Sequence, residues 1–90
     1  MEITNALQAI KDLEEEVKNI SWSMEYYKTQ AKVYDHNAKR ADIPTEKRVY
    51  KSLKYDYSLN YAIEREKLAK AERKLRAAKL RFKRLFKEGL

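Results

Sequence analysis

Cysteine is absent from this chain of 90 residues, and glycine and proline occur once each. Without cysteine there is no disulfide framework and no thiolate metal site. A chain this short then has to supplement a thin core by other means, oligomerisation among them. A single glycine cannot supply the turns of an all-β fold or the amide-lined loop that cradles a phosphate. No apolar run approaches the roughly 20 residues that span a bilayer. The opening stretch, MEITNALQAIKDLEEE, has neither the basic start nor the continuous apolar centre of a secretory signal. These absences lead us to expect a cytoplasmic chain with no membrane partner.

What is present is charge. Asp, Glu, Lys and Arg make up 39% of the residues, and the formal net charge is +7. Together with abundant Ala and Leu this composition favours long helices. The charge is uneven. Residues 1–20 hold five acids and two bases, whereas residues 64–88 hold eleven bases and four acids. A basic end of this kind matches an anionic partner, either nucleic acid or an acidic protein surface.

Two apolar stripes run at helical spacing. The first passes through Ile3, Leu7, Ile10, Leu13, Val17, Ile20, Met24, Tyr27, Ala31, Tyr34 and Ala38, with one three-residue discontinuity at Ile10 to Leu13. The second passes through Tyr50, Leu53, Tyr57, Tyr61, Glu64, Leu68, Ala71, Leu75, Ala78, Phe82 and Leu85. Between them Pro44 disfavours helix at Ile43 and suits the first turn of a new helix. When the chain folds back there, the stripes face each other at positions whose numbers sum to 88, such as Ile10 with Ala78, Val17 with Ala71 and Ala31 with Tyr57. Large then meets small, as close packing requires. Glu14 and Glu16 flank the first stripe, and Lys67, Lys74 and Lys79 flank the second. The expected fold is all-α: one long antiparallel helical hairpin of coiled-coil type over residues 1–90. Its first helix covers about 3–41, its turn about 41–45 and its second helix about 44–88.

The stretch LKYDYSLNYAI, residues 53–63, alternates large and polar residues as a β-strand does. SWSMEY in the first stripe alternates too, which leaves a two-stranded ribbon as the competing assignment. Such a ribbon would need a turn that the sequence lacks, and alone it is only marginally stable. On a helix, alternation instead produces two opposed stripes. One joins the hairpin seam, and the other carries Tyr55, Leu59 and Ile63, answered on the first helix by Trp22, Tyr26 and Val33. An apolar row of that size needs cover. We therefore expect a homodimer in a four-helix arrangement, or another protein partner.

Catalysis is not expected, and no cofactor or metal site is implied. His36 stands alone among polar neighbours. Glu14, Glu15 and Glu16 point in three directions around a helix and form no paired-carboxylate site. No nucleophile–base pair or metal-ligand spacing occurs. The outward face of the second helix is more telling. Lys70, Arg73, Arg76, Lys83, Arg84 and Lys87 lie there with Ala77 and Leu80, uninterrupted by any acid, which is the footprint of phosphate binding. Tyr50, Tyr57 and Tyr61 could stack on bases, but their seam positions assign them to the core. Leu80, Phe86 and Leu90, apolar and off the seam, give the last turns some likeness to a membrane-surface helix, with too little apolar surface to hold a bilayer well. In general shape the hairpin looks like the small helical RNA-binding regulators that dimerise into four-helix bundles, and like the small helical accessory proteins of phages and plasmids. That likeness is one of architecture and carries no function. Two functions are left in competition. One is docking of the basic helix on nucleic acid or on a complex that handles it. The other is a pure protein–protein role as an inhibitor or assembly factor.

Overall fold

The computed structural model describes residues 2–88, and Leu90 lies outside them. Two helices account for nearly all of it: α1, Glu2–Arg40, and α2, Pro44–Glu88. They pack against each other as an antiparallel hairpin of 69 × 14 × 14 Å. No strand occurs among the described residues, so the ribbon assignment for residues 53–63 is excluded. Pro44 opens α2 at the position where its missing N–H is no loss. The Lys47 amide donates to the Ile43 carbonyl at 3.0 Å and closes the first turn. Neither a cis peptide bond nor a residue with positive φ is found among the described residues. The bend at residues 41–43 is thus made without glycine.

In α2 the residues withdrawn from solvent after Tyr50 are Leu53, Tyr57, Tyr61, Glu64, Leu68, Ala71, Leu75, Ala78, Phe82 and Leu85, the whole of the expected stripe. The α1 stripe needs one correction. Ala6 is buried at 6% exposure, while Leu7 is 40% exposed; Ile3, at the open end of the stripe, is itself 39% exposed. With Ala6 on the seam the steps run three, four, three, four from Ile3 to Ala38, and the discontinuity at Ile10 disappears. The physical reason is size. Position 6 faces position 82, and a methyl opposite the Phe82 ring lets the backbones approach where a leucine would hold them apart. In α2 the alternation breaks instead at Tyr57, which is flanked by steps of four on both sides, from Leu53 and to Tyr61. Such an insertion locally unwinds the supercoil.

Tyrosine rings fill that region. Tyr57 stacks on Tyr34 with centroids 5.5 Å apart and planes 9° apart, and it lies 6.3 Å from Tyr27. Tyr27 and Tyr34 sit one turn to either side of Ala31, the residue that the register places opposite Tyr57. Helical side chains lean toward their own N-terminus. In an antiparallel pair Tyr34 and Tyr57 therefore lean toward each other, whereas Tyr27 and Tyr57 lean apart. Glu64, the one acid on the seam, is half-buried and accepts a hydrogen bond from Lys67 Nζ at 3.1 Å within its own helix.

With seam positions lettered a and d, antiparallel packing puts the e and b rows of both helices on one side of the hairpin, here the e side. The g and c rows lie on the other, the g side. The ion pair from Lys54 Nζ to Asp35 Oδ1, 2.7 Å, crosses the e side. On the g side Asp12 and Glu16 of α1 share an open groove with Lys67 and Lys74 of α2. The acidic and basic stretches adjoin here, although Lys67 is engaged by Glu64 rather than by an α1 acid.

Ala71 is the most deeply buried of the described residues, at 2% exposure. Ala71→Leu should destabilise the hairpin by about 1–3 kcal/mol through overpacking. Val17→Ala introduced alongside it should recover part of that loss, because the two positions face each other. Denaturant melts of the two single variants and the double variant check this; strict additivity would show that they do not touch.

Candidate functional site

The long straight α2 displays its basic residues in rows. Lys70, Arg73, Arg76, Lys83, Arg84 and Lys87 are all exposed, and none joins an ion pair among the described residues. Heptad geometry divides them. Arg76 and Lys83 fall on the e side and Lys70 and Arg84 on the g side, while Arg73 and Lys87 lie on the outer edge between. Lys70 lines the g-side groove together with Asp12, Glu15 and Glu16. Acids across that groove offset its charge, so it is the least available of the six to an anionic partner.

The apolar set divides as well. Trp22, Tyr26, Val33, Tyr55, Leu59 and Ile63 are all exposed, Trp22 to 77% and Tyr55 to 68%. Tyr26, Val33, Leu59 and Ile63 share the g side. Trp22 and Tyr55 sit on opposite outer edges and cannot meet one flat partner together. The g side near the bend is also poor in charge. Its α1 rows read Asn19, Ser23, Tyr26, Gln30, Val33 and Asn37, with Arg40 the one charge at their end. Its α2 rows read Val49, Ser52, Asp56, Leu59, Asn60 and Ile63, with Asp56 the one charge. Tyr26 is anchored there by edge contacts, 5.5 Å to Tyr27 and 6.3 Å to Tyr57. The Tyr26 phenol beside it pushes the Tyr57 hydroxyl above the ordinary tyrosine value.

The hairpin exposes 7340 Å². A compact monomer of its mass would expose about 5,500 Å². The excess is large on the scale of the roughly 800 Å² that each partner buries in a standard interface.

A second basic cluster escaped the sequence reading. On the e side near the bend Lys39, Lys47, Lys51 and Lys54 line one open groove with Asp35 and Tyr55. Lys39 Nζ lies 3.1 Å and Lys54 Nζ 2.7 Å from the Asp35 carboxylate. The signal was the spacing of Lys47, Lys51 and Lys54 at four and three, but it gains meaning only once the register sets those lysines beside Lys39. His36 lies on the outer edge of α1, and its Nε2 is 3.4 Å from Arg40 Nη1. No group of three His, Cys, Asp or Glu among the described residues is placed to hold a metal ion. No described helix is long and apolar enough to cross a membrane. No family model matches the chain, and no curated protein and no solved structure shows significant similarity to it.

Lys54 and then Lys39, hydrogen-bonded to Asp35, hold its carboxyl below the ordinary carboxylate value. A depressed acid stabilises the fold above its unfolded pKa of about 3.9, and that contribution is lost as the pH falls through the lower folded value. An NMR titration should place the Asp35 midpoint below about 3.9. High salt should move it back toward that value, because the pair is open to solvent. In Asp35→Asn this part of the acid dependence of stability should vanish.

Proposed function

We propose that this protein is a non-enzymatic, dimeric helical binding protein of the cytoplasm that docks basic residues of α2 on nucleic acid or on a complex that handles it. The observation that carries the reading is the outward face of α2 from Lys70 to Lys87, where six exposed bases join no ion pair among the described residues and no acid shares their face. Fixed on a rigid helix for about 26 Å, they form an array of cations that a phosphate backbone can neutralise without reordering the protein. Self-association through the charge-poor part of the g side accounts for the surplus surface and for the exposure of Tyr26, Val33, Leu59 and Ile63. It leaves the outer edges free.

A second reading is supported by Trp22. It is 77% exposed above a shallow apolar groove formed with Ser21, Glu25 and Thr29 on the outside of α1. An exposed tryptophan of this kind is a candidate anchor for a protein partner, as in a small accessory protein that inhibits or scaffolds another. Salt separates the two readings, since phosphate binding weakens steeply with salt and an aromatic contact does not.

With about five or six phosphates neutralised, affinity for generic DNA or RNA should fall on a log–log salt plot with a slope near −4 to −5. Arg73→Gln with Arg76→Gln should weaken all sequences alike and flatten the slope by up to about two units. Sedimentation equilibrium should show a dimer. A chain that binds no nucleic acid at low salt, yet captures a protein partner in a manner abolished by Trp22→Ala, would transfer the assignment to the second reading.

A further inference from the structure

The two sides of the hairpin differ in charge far more than its two ends suggest. On the e side α1 presents Lys11, Lys18, Lys28, Lys32 and Lys39 against Glu14, Glu25 and Asp35. There α2 adds Lys47, Lys51, Lys54 and Arg65 near the bend and Arg76, Lys79 and Lys83 beyond it, against Glu72 alone. Twelve bases therefore meet four acids. On the g side Arg40, Lys67, Lys70, Lys74, Arg81 and Arg84 are balanced by Glu2, Asp12, Glu16, Asp56 and Glu88, six against five. Nearly all of the net charge of +7 thus lies along one side of a straight rod. It is not confined to the C-terminal half of α2: the groove lined by Lys39, Lys47, Lys51 and Lys54 lies at the opposite end, beside the bend.

Resting on the nucleic-acid reading above, we infer that a nucleic-acid duplex lies lengthwise along the e side, from the bend groove to Lys83, rather than touching the C-terminal part of α2 alone. Charge complementarity selects the polyanion. The sparse aromatic content of this side selects the double-stranded form. Single-strand binders combine basic grooves with rows of aromatic rings on which bases stack. Here Phe86 is the only aromatic on the e and b rows, and Tyr55 stands at their edge. A duplex keeps its bases stacked inside and presents mainly its phosphates to such a surface, and flexible lysines on a stiff support suit it. From Lys47 to Lys83 the side runs about 54 Å at 1.5 Å per residue. At 3.4 Å per base pair this corresponds to about 16 base pairs. Docking by Lys70 to Lys87 alone would cover about half of that.

The test compares charge-matched variants of the full chain on duplexes of increasing length. Lys32→Gln with Lys51→Gln removes two cations from the e side. Lys74→Gln with Arg81→Gln removes two from the g side. The first pair should lower affinity for a 20-base-pair duplex about tenfold or more near 0.1 M salt and flatten the salt slope by about two units. The second should change affinity no more than about twofold. For the unaltered chain, affinity should rise with duplex length to about 16 base pairs and then level off. Amine-reactive labelling of the unaltered chain gives a readout that needs no substitution: duplex should protect Lys32, Lys51 and Lys79 and leave Lys67 and Lys74 reactive. Equal losses from both pairs would overturn the inference, because net charge alone would then govern binding. Losses confined to Arg73→Gln with Arg76→Gln, with a plateau near eight base pairs, would overturn it and leave the proposed function standing. Absence of duplex binding by the unaltered chain at low salt would overturn both.

Discussion

The close approach of α1 and α2 depends on alanine. Of the four residues buried most completely, Ala6, Ile10, Ala38 and Ala71, three carry only a methyl group. In the facing register each of these alanines stands opposite a larger side chain, Phe82, Tyr50 and Val17 respectively. Ala31 stands likewise opposite Tyr57, and Ala78 opposite Ile10. The seam is a chain of such unequal pairs, and its hydrophobic contribution comes from many half-covered side chains rather than from a sealed core. A two-helix seam has no third layer to close it, so rings such as Tyr27, Tyr34 and Tyr57 cover one another at the rim. Burial is thereby spread thinly along 69 Å. The surface left over is what a second chain or a partner can use.

Much of this was legible in the spacing of apolar residues, because a helix converts sequence interval directly into angle. Tyr50 through Leu85 could be read off because large residues mark every seam position but three. Ala6 could not, because an alanine beside a leucine looks like the weaker seam candidate. Unbroken three–four spacing favours Ala6, but its packing reason lies in the facing Phe82, 76 positions away. Leucine-based reasoning reads volume on one helix, while packing depends on the sum across two. The strand-like alternation in residues 53–63 was ambiguous for a related reason: period two on a helix yields two opposed stripes, and only the absence of turn residues decided between the structures.

The candidate site was less legible than the fold. Exposure of Lys70, Arg73, Arg76, Lys83, Arg84 and Lys87 follows from their distance from the seam. Their division between two sides follows only from which rows meet across the hairpin. The lysines at the bend show this most clearly. Lys39 and Lys51 belong to different helices and to no common motif, yet they share a groove. Asp35 shows the converse. It is one of many acids in the sequence, and its neighbour Lys54, nineteen positions on, holds its carboxyl below the ordinary carboxylate value.

The bend of three residues has a mechanical consequence. Because α1 and α2 are nearly equal in length, Glu2 and Glu88 come together at the end of the rod farthest from residues 41–43. Tension applied between those ends would load the seam as a zipper rather than as a lap joint. The Ile3 and Leu85 layer would part first, then Ala6 and Phe82, each opening before the next bears load. A pull along the rod, from the bend against the open end, would spare the seam and stretch both helices in parallel. The same molecule is thus weak to peeling and stiff to axial pull, and the direction in which a tethered neighbour tugs on it decides which of the two it meets.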